Sequence, residues 1–239
     1  SIIGWFKVKK DKAIKYLRKN ILLNIGMIEP IRRCTAEILY AEIDGVLIRE
    51  KKSNAYMISV DDFEIGRKLI DTIEESSLIV SHEQFMVDYI LNRFKLTKSL
   101  ECVQAVYMSR NKLPVKKYEL EINKLKVEQI KLILEHYDKL SINEIEILLK
   151  NGKIFGGYKN GKLIGFVGNH LEGSIGLLEV FPQYRCLGYG TILESYIINK
   201  MIDESLVPFA QIEIDNKESM ILQTKLGFEI SKDCLYWIF

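Results

Sequence analysis

The chain of 239 residues carries a formal net charge of +2, with 48% hydrophobic and 28% charged residues. This composition supplies the core of one large or two small domains and provides no basic surplus for binding nucleic acid. No apolar run approaches the roughly 20 residues of a membrane helix, and the four scattered cysteines form no CxxC pair or histidine cluster. We therefore expect a cytoplasmic protein with reduced thiols, no membrane segment, no secretory signal and no bound metal.

The first half of the chain is predicted to contain two helices, a hairpin and then alternating strands and helices. The second helix is expected to start at Pro30, and Asp61 or Asp62 to cap the third. The predicted elements are helix 11–23, hairpin 36–50 around Asp44-Gly45, strand 55–60, a helix after 62, strand 77–81, helix 83–94 and strand 101–108. Residues 109–117, with one proline and several lysines, predict a linker.

The second half repeats this order. Ser141 is expected to cap a helix that Asn151-Gly152 ends, and Asn160-Gly161 is the strongest hairpin signal of the chain. The predicted elements are strand 118–122, helix 126–137, a helix after 141, strands 154–158, 163–169 and 177–181, a helix after 188, strand 210–214, helix 217–226 and strands within 228–239. Glycines 156 and 157 lie inside a predicted strand and indicate a bulge or a close approach.

This shared order predicts two α/β domains, 1–112 and 117–239. Because the halves share few identical residues, the common order is either a true repeat of one fold or a coincidence. The halves differ at one informative place. After its fourth strand the second half has Arg185-x-x-Gly188-x-Gly190, whereas 59–64 in the first half contains three carboxylates and no glycine. Because carboxylates repel phosphates at close range, we expect only the second half to keep a ligand site.

The motif at 185–190 lies between a short apolar strand and a helix with a broad apolar face. Glycines at such a junction let the backbone approach a bulky anion, and the N–H groups of the first helical turn can hold phosphate oxygens. Arg185 adds a permanent cation beside them. On its own, such a motif is more often an ordinary glycine-rich turn than a phosphate site.

Two further motifs strengthen the phosphate interpretation. They are Ile212-Glu213-Ile214-x-Asn216-x-x-Ser219 and Lys225-Leu226-Gly227-Phe228. Together with the strand, Pro182 and the glycine motif, in this order and spacing, they make 118–239 resemble a Gcn5-related N-acetyltransferase (GNAT) domain. The resemblance implies an α/β (α+β) fold with a mixed, mostly antiparallel sheet flanked by helices. By topology alone, the first half resembles a degenerate tandem copy without the coenzyme loop.

The resemblance also implies the ligand and its contacts. Acetyl-CoA would act as co-substrate, with its pantetheine arm along Leu178 and Val180 and a backbone N–H near Leu178 stabilising the oxyanion. Asn216 would lie near the pantetheine or the acetyl group, or act as a helix N-cap, or both. The pyrophosphate would lie on Arg185, Cys186, Leu187, Gly188, Tyr189, Gly190 and Thr191. A primary amine would attack directly in a ternary complex.

The candidate catalytic residues are Glu179 and Glu213, which alternate with apolar neighbours on adjacent strands. Either carboxylate could bind a cationic amine and accept its proton, or be an ordinary polar residue of a solvated strand face. One departure weakens the catalytic reading. Many family members have a tyrosine that protonates the leaving thiolate where this chain has Gln223, which cannot act as an acid at neutral pH.

Three functions therefore stay open at this point. The first is an N-acyltransferase acting on a primary amine, and the second is a CoA-binding sensor with little or no turnover. The third is a protein–protein interaction role carried by the first domain. That domain would cover the acceptor cleft or form a homodimer interface.

Overall fold

The computed structural model describes residues 2–115 and 119–239, so residues 116–118, at the end of the predicted linker and the start of the next predicted strand, lie outside it. Within these ranges the helices are α1 Ile2–Leu17, α2 Ile21–Arg32, α3 Phe63–Ile70, α4 Val87–Phe94, α5 Ile130–His136, α6 Ile142–Lys150, α7 Tyr189–Asp203 and α8 Lys217–Leu226. The strands are β1 Ala36–Glu42, β2 Gly45–Glu50, β3 Tyr56–Val60, β4 Ile79–Ser81, β5 Ser99–Val106, β6 Glu121–Lys124, β7 Ile154–Lys159, β8 Lys162–Asn169, β9 Ile175–Val180, β10 Phe209–Glu213 and β11 Glu229–Ile238.

These elements form two compact units that do not follow the chain order. The first unit contains the chain up to Val106 together with Gln211–Thr224 and Phe228–Phe239. The second contains Tyr107–Ala210 and Lys225–Gly227. The division of the sequence into domains 1–112 and 117–239 stays a prediction. It is based on the repeated order of elements along the chain, whereas the two units are defined by their compactness.

The first unit is built on a sheet with the strand order β1-β2-β3-β4-β11-β5-β10. Strand β11 enters between β4 and β5 and pairs antiparallel with both, so Tyr236 lies opposite Ser81 on one side and Glu101 on the other. Strands β3 and β4 pair in parallel. Helices α2, α3 and α4 pack against this sheet, and α3 and α4 close one core with β2, β3 and β4.

The second unit contains an antiparallel sheet with the order β6-β7-β8-β9. Asn160 and Gly161, at φ +51° and +74°, form the tight turn between β7 and β8 that the sequence predicts. A Cβ on Gly157 would lie 2.9 Å from the Leu193 side chain of α7, so the strand glycine permits a close helix–sheet approach. Helices α5 and α6 contribute to the core on this sheet.

In the part of the chain that the structure describes, both sheets are mostly antiparallel and helices pack against them. This confirms the predicted mixed α/β class. The helical start of the chain differs from expectation. The structure has two helices, α1 and α2, joined by a 3-10 turn at Arg18–Asn20, where the sequence predicts a single helix over 11–23.

The prediction that Pro30 begins a helix is wrong, because Pro30 lies inside α2. A proline inside a helix costs about 3 kcal/mol. Here every residue from Leu23 to Ile31 is buried, and we attribute the continuation of the helix through Pro30 to this burial.

No helix within the described ranges is both long and apolar enough to cross a bilayer.

Candidate functional site

Strand β9 is an edge strand of its sheet. Over the part of the chain that the structure describes, it pairs only with β8, through the partners Gly165↔Val180 and Phe166↔Glu179 at its carboxyl end. An edge strand presents a row of backbone N–H and C=O groups that can pair with an extended ligand. Leu178 and Val180 lie on this strand and are half-buried.

The same strand contains a bulge. Phe166 pairs with Glu179, but Gly168 pairs with Gly176, so two steps along β8 face three steps along β9. The extra residue lies at 177–178, where Leu177 has φ +53° and a side chain that is 1% exposed. A bulky residue in the left-handed region costs roughly 1–2 kcal/mol. Bulges redirect the backbone groups around them and are frequent beside active sites.

The loop after β9 leads directly into the start of α7. A 3-10 turn at Pro182–Tyr184 is followed by exposed residues, including Leu187, which is 60% exposed, and the free thiol Cys186 at φ +61°. Gly188 is the N-cap at φ +83° and provides no capping side chain. The first-turn N–H groups of a 15-residue helix, Tyr189, Gly190 and Thr191 among them, therefore lack a side-chain cap.

Gly190 is a glycine that the fold itself does not require. A Cβ at this position would meet only the Val180 side chain, at 3.8 Å, and the backbone does not have a positive φ. By contrast, a Cβ on Gly165 would lie 2.4 Å from the Glu179 carbonyl oxygen, so packing does require that glycine. Glycine within a helix costs up to about 1 kcal/mol relative to alanine, and close approach of a ligand offers a reason to retain it.

Arg185 and Glu179 lie together and form an ion pair. The Arg185 Nη2 donates to Glu179 Oε1 at 2.7 Å, and its Nε donates to the Val180 carbonyl at 2.9 Å. The side chains are 57% and 21% exposed, respectively. Two predicted site residues are thus in contact, and the cation at the loop is balanced by the candidate base.

Tyr189 anchors the start of α7 to β7. Its ring is 4% exposed, and its hydroxyl is hydrogen-bonded to the Lys159 Nζ, which also lies 5.1 Å from the ring centroid. The side chain is therefore structural, and only the backbone of Tyr189 is available to an anion. Lys159 brings a second cation to the loop. Lys159 belongs to none of the sequence motifs, and the signal that could have identified it is its position beside the Asn160-Gly161 turn.

Glu213 and Asn216 belong to the first compact unit, whereas residues 178–191 belong to the second. The Asn216 Oδ1 accepts the Ser219 N–H at 3.1 Å, at the start of α8, which is the N-cap interpretation of this residue. Gln223 is 4% exposed on α8. The Tyr236 hydroxyl, considered as a replacement acid, donates to Glu101 Oε1 at 3.2 Å, and burial together with Glu101 raises the pKa of Tyr236 to about 12.

The predicted repeat of the two halves makes β3 of the first unit the counterpart of β9. Strand β3 is paired with β4 and with the two residues that follow β4, His82 and Glu83. The Ile58 carbonyl accepts the His82 N–H at 3.1 Å and the His82 Nδ1 at 2.9 Å, and the Val60 N–H donates to the Glu83 carboxylate. Asp62 caps α3 through the Ile65 N–H at 3.0 Å. The backbone groups that an extended ligand would use on β3 are therefore occupied.

This closure makes the stability of the protein sensitive to pH. Burial raises the pKa of Glu83 from 4.5 to about 8, although the Val60 N–H lowers it. The native state then holds a proton that the unfolded state has lost, so the free energy of unfolding decreases as the pH rises from about 6 to about 8. We expect Glu83→Gln to remove about 2 kcal/mol of this decrease, measured by urea unfolding at both pH values.

Glu75→Gln, at an exposed position of the same unit, is the matched control and should leave the decrease unchanged. An unaltered pH dependence in Glu83→Gln would mean that Glu83 is ionised in the folded protein.

Comparisons with known proteins agree on the fold. Residues 154–238 match the family model described as FR47-like protein, and no curated protein matches the chain. A Drosophila protein of known structure is 17% identical, with a TM-score of 0.64 over 81% of this chain and 73% of that chain. A GCN5-related N-acetyltransferase-like protein from Streptococcus suis is 15% identical, with a TM-score of 0.54 over 95% and 100% of the two chains.

An acetyltransferase from the GNAT family of Colwellia psychrerythraea is 12% identical, with a TM-score of 0.53 over 100% and 97% of the two chains. At such low sequence identities, the similarity to these structures establishes the fold and not the activity. The chain therefore has the fold of the Gcn5-related N-acetyltransferases, with an FR47-like match in its second half, and the resemblance identified from the sequence motifs is confirmed at the level of the fold.

Proposed function

We propose that this protein is an acyl-CoA-dependent N-acyltransferase that transfers an acetyl group from acetyl-CoA to a primary amine. The observation that carries the proposal is the continuous path from the edge strand β9 to the uncapped start of α7. Along that path Gly190 is open to a ligand and not required by packing. An edge strand suits an extended amide-containing arm, and the start of a long helix suits a pyrophosphate.

The residues of the loop have distinct roles in this proposal. Gly188 and Gly190 keep side chains away from the phosphates, and the backbone N–H groups of Tyr189, Gly190 and Thr191 donate to them. Arg185 supplies a cation, and Cys186 and Leu187 contribute backbone. Leu178 and Val180 offer backbone groups to the pantetheine arm, and the Leu178 N–H donates to the oxyanion that forms when the amine attacks the thioester.

Glu179 is the preferred base, with Glu213 as the alternative, because a carboxylate near the carbonyl can accept a proton from the acceptor ammonium and so release the neutral amine that attacks. Asn216 would add a contact to the pantetheine or the acetyl group. The leaving thiolate, with a pKa of roughly 8.5, needs little assistance at neutral pH. A CoA-binding sensor is the second candidate, and the buried Gln223 in place of the family's tyrosine favours it.

Calorimetric titration of acetyl-CoA into the protein tests both candidates. We expect only one equivalent to bind per chain, because His82 and Glu83 occupy the backbone groups of β3 in the first unit. The dissociation constant should lie between about 1 μM and 1 mM, the usual range for an enzyme substrate. Thiol release with a panel of amines then separates the two functions, since an enzyme turns over and a sensor only binds.

Two equivalents per chain would contradict the closure of the first unit. The absence of any binding by the folded protein would contradict both the enzyme and the sensor.

A further inference from the structure

The side of α1 that faces the solvent carries a stripe of apolar and basic side chains. Trp5, Val8, Lys12, Lys15 and Lys19 follow one another at steps of three and four residues, so they share one side of α1 and of the 3-10 turn after it. All five are exposed, with Trp5 at 66% and Val8 at 55%. We call these five residues the α1 stripe.

The packing of α1 onto the first unit does not involve this stripe. The opposite side of the helix packs through Ala13, Tyr16 and Leu17, which are all at most 7% exposed. The helix is therefore already held by one apolar side, and Trp5 and Val8 add large apolar groups to the other. Exposed apolar side chains that lie together beside polar residues are typical of an interaction surface.

The turn between β1 and β2 extends the surface at the basic end of the α1 stripe. The Lys19 Nζ donates to the Ile43 carbonyl at 3.2 Å, and the Lys12 Nζ donates to Glu42 Oε2 at 2.8 Å. The Ile43 side chain is 84% exposed. The lysines of the stripe therefore have exposed apolar side chains on both sides, Trp5 at one end and Ile43 at the other.

The charge of this region is opposite in sign to that of the rest of the chain. Residues 7–19 contain six lysines, one arginine and one aspartate, a net charge of +6, whereas the whole chain has +2. The remaining residues therefore carry a net charge of −4. A helix that combines a cluster of basic residues with exposed tryptophan and aliphatic side chains is typical of binding to the surface of an anionic membrane.

We propose that the α1 stripe and Ile43 form a surface that docks on an anionic lipid bilayer. The lysines contact the phosphates of the lipid headgroups, and Trp5, Val8 and Ile43 enter the boundary with the acyl chains. The surface suits a second copy of the chain less well, because a two-fold interface would place lysines against lysines. Nucleic acid offers phosphates but no apolar layer for Val8 and Ile43. Docking of this kind does not depend on the proposed acyl transfer.

Sedimentation of the whole protein with lipid vesicles tests the proposal. Vesicles of equal parts phosphatidylglycerol and phosphatidylcholine should bind it at least about 10-fold more tightly than vesicles of phosphatidylcholine, because each lysine near an anionic surface contributes about 5-fold. Raising the salt concentration from about 0.1 M to about 1 M shortens the Debye length from about 10 Å to about 3 Å and should release most of the protein. No binding to the anionic vesicles, or equal binding to both kinds, would overturn the proposal.

Lys15→Glu tests the basic part of the surface. The variant removes one positive charge and adds one negative charge, so its affinity for the anionic vesicles should fall about 25-fold. The matched control is Lys68→Glu, which makes the same change at an exposed lysine of α3 in the same unit and should bind nearly like the parent. Equal losses of affinity in the two variants would mean that net charge alone attracts the protein, and would overturn the surface.

Ile43→Ser tests the apolar part. Because an isoleucine that enters the acyl boundary leaves water, the affinity for the anionic vesicles should fall at least about 5-fold. Ile221→Ser is the matched control, since Ile221 is 68% exposed on α8 in the same unit, and it should bind like the parent. Parental affinity in Ile43→Ser would remove Ile43 from the surface and overturn the proposal as stated.

The fluorescence of Trp5 distinguishes a bilayer from other occupants. In Trp237→Phe protein, Trp5 is the only tryptophan, and its emission should move to shorter wavelength with the anionic vesicles because the indole leaves water. An unchanged emission would overturn the insertion of Trp5. Binding of duplex DNA without binding of vesicles would assign the surface to nucleic acid, and a dimer that Trp5→Ala dissociates, again without vesicle binding, would assign it to a second copy. Either result would overturn the proposal.

Discussion

Gly188→Glu is expected to abolish measurable binding of acetyl-CoA while the protein stays folded. Gly188 is the N-cap of α7, and a Cβ there meets nothing within 4 Å, so the new side chain fits. Its carboxylate would lie beside the first-turn N–H groups and repel the pyrophosphate. Two unit charges about 4 Å apart near a protein surface interact by about 4 kcal/mol, which corresponds to about 1000-fold in affinity. Calorimetric titration measures the loss.

The chain offers a closely matched control at Gly161. Both glycines have a positive φ, +83° and +74°, and a Cβ on Gly161 also meets nothing within 4 Å. Gly161→Glu therefore introduces the same charge and a similar backbone strain, roughly 1–2 kcal/mol, at the β7–β8 turn. It should bind acetyl-CoA like the parent. Equal losses of affinity in both variants would mean that strain or net charge causes the effect. Parental affinity in Gly188→Glu would mean that the phosphates do not bind at this loop.

Local signals were sufficient to predict much of the fold. Asn160-Gly161 specifies its turn, and Ser141 and Glu144 form a reciprocal capping box at the start of α6. The range 217–226 predicted for a helix is that of α8. Each of these features depends on residues within about four positions of one another, which a sequence displays directly.

Long-range pairing could not be predicted in this way. The insertion of β11 between β4 and β5 joins residues that are more than 130 positions apart, such as Tyr236 and Glu101, and no periodicity specifies which strand will be the neighbour. Pro30 illustrates the related failure within an element, where burial of the surrounding residues outweighs a local helix-breaking preference.

In the candidate site, too, the local features were predictable from the sequence and the long-range contacts were not. The glycine loop is a contiguous motif, and the structure has it at the start of α7 as the motif suggests. The bulge in β9 was not predictable, because its left-handed residue is a leucine and not the glycine or asparagine that would signal it. The contact of Arg185 with Glu179 depends on side-chain directions, which the sequence does not contain.

The ion pair between Arg185 and Glu179 predicts opposite changes in affinity and turnover for Glu179→Gln. In the structure, Glu179 holds the Arg185 guanidinium at 2.7 Å, so a phosphate must compete with a carboxylate for this cation. Removing the carboxylate charge should strengthen acetyl-CoA binding by about 2- to 5-fold, the range of a partly exposed ion pair. If Glu179 is the base, kcat should fall by about 100-fold or more, measured as thiol release.

Arg185→Gln identifies the source of the gain in affinity. In that background Glu179 has no guanidinium to hold, so Glu179→Gln should no longer improve binding beyond the small effect of net charge, and the two changes should be non-additive. An additive result would mean that the carboxylate repels the phosphates directly. A variant Glu179→Gln with parental kcat would exclude Glu179 as the base and leave Glu213 as the candidate, because a group that accepts the proton of the attacking amine cannot be replaced by an amide without loss of rate.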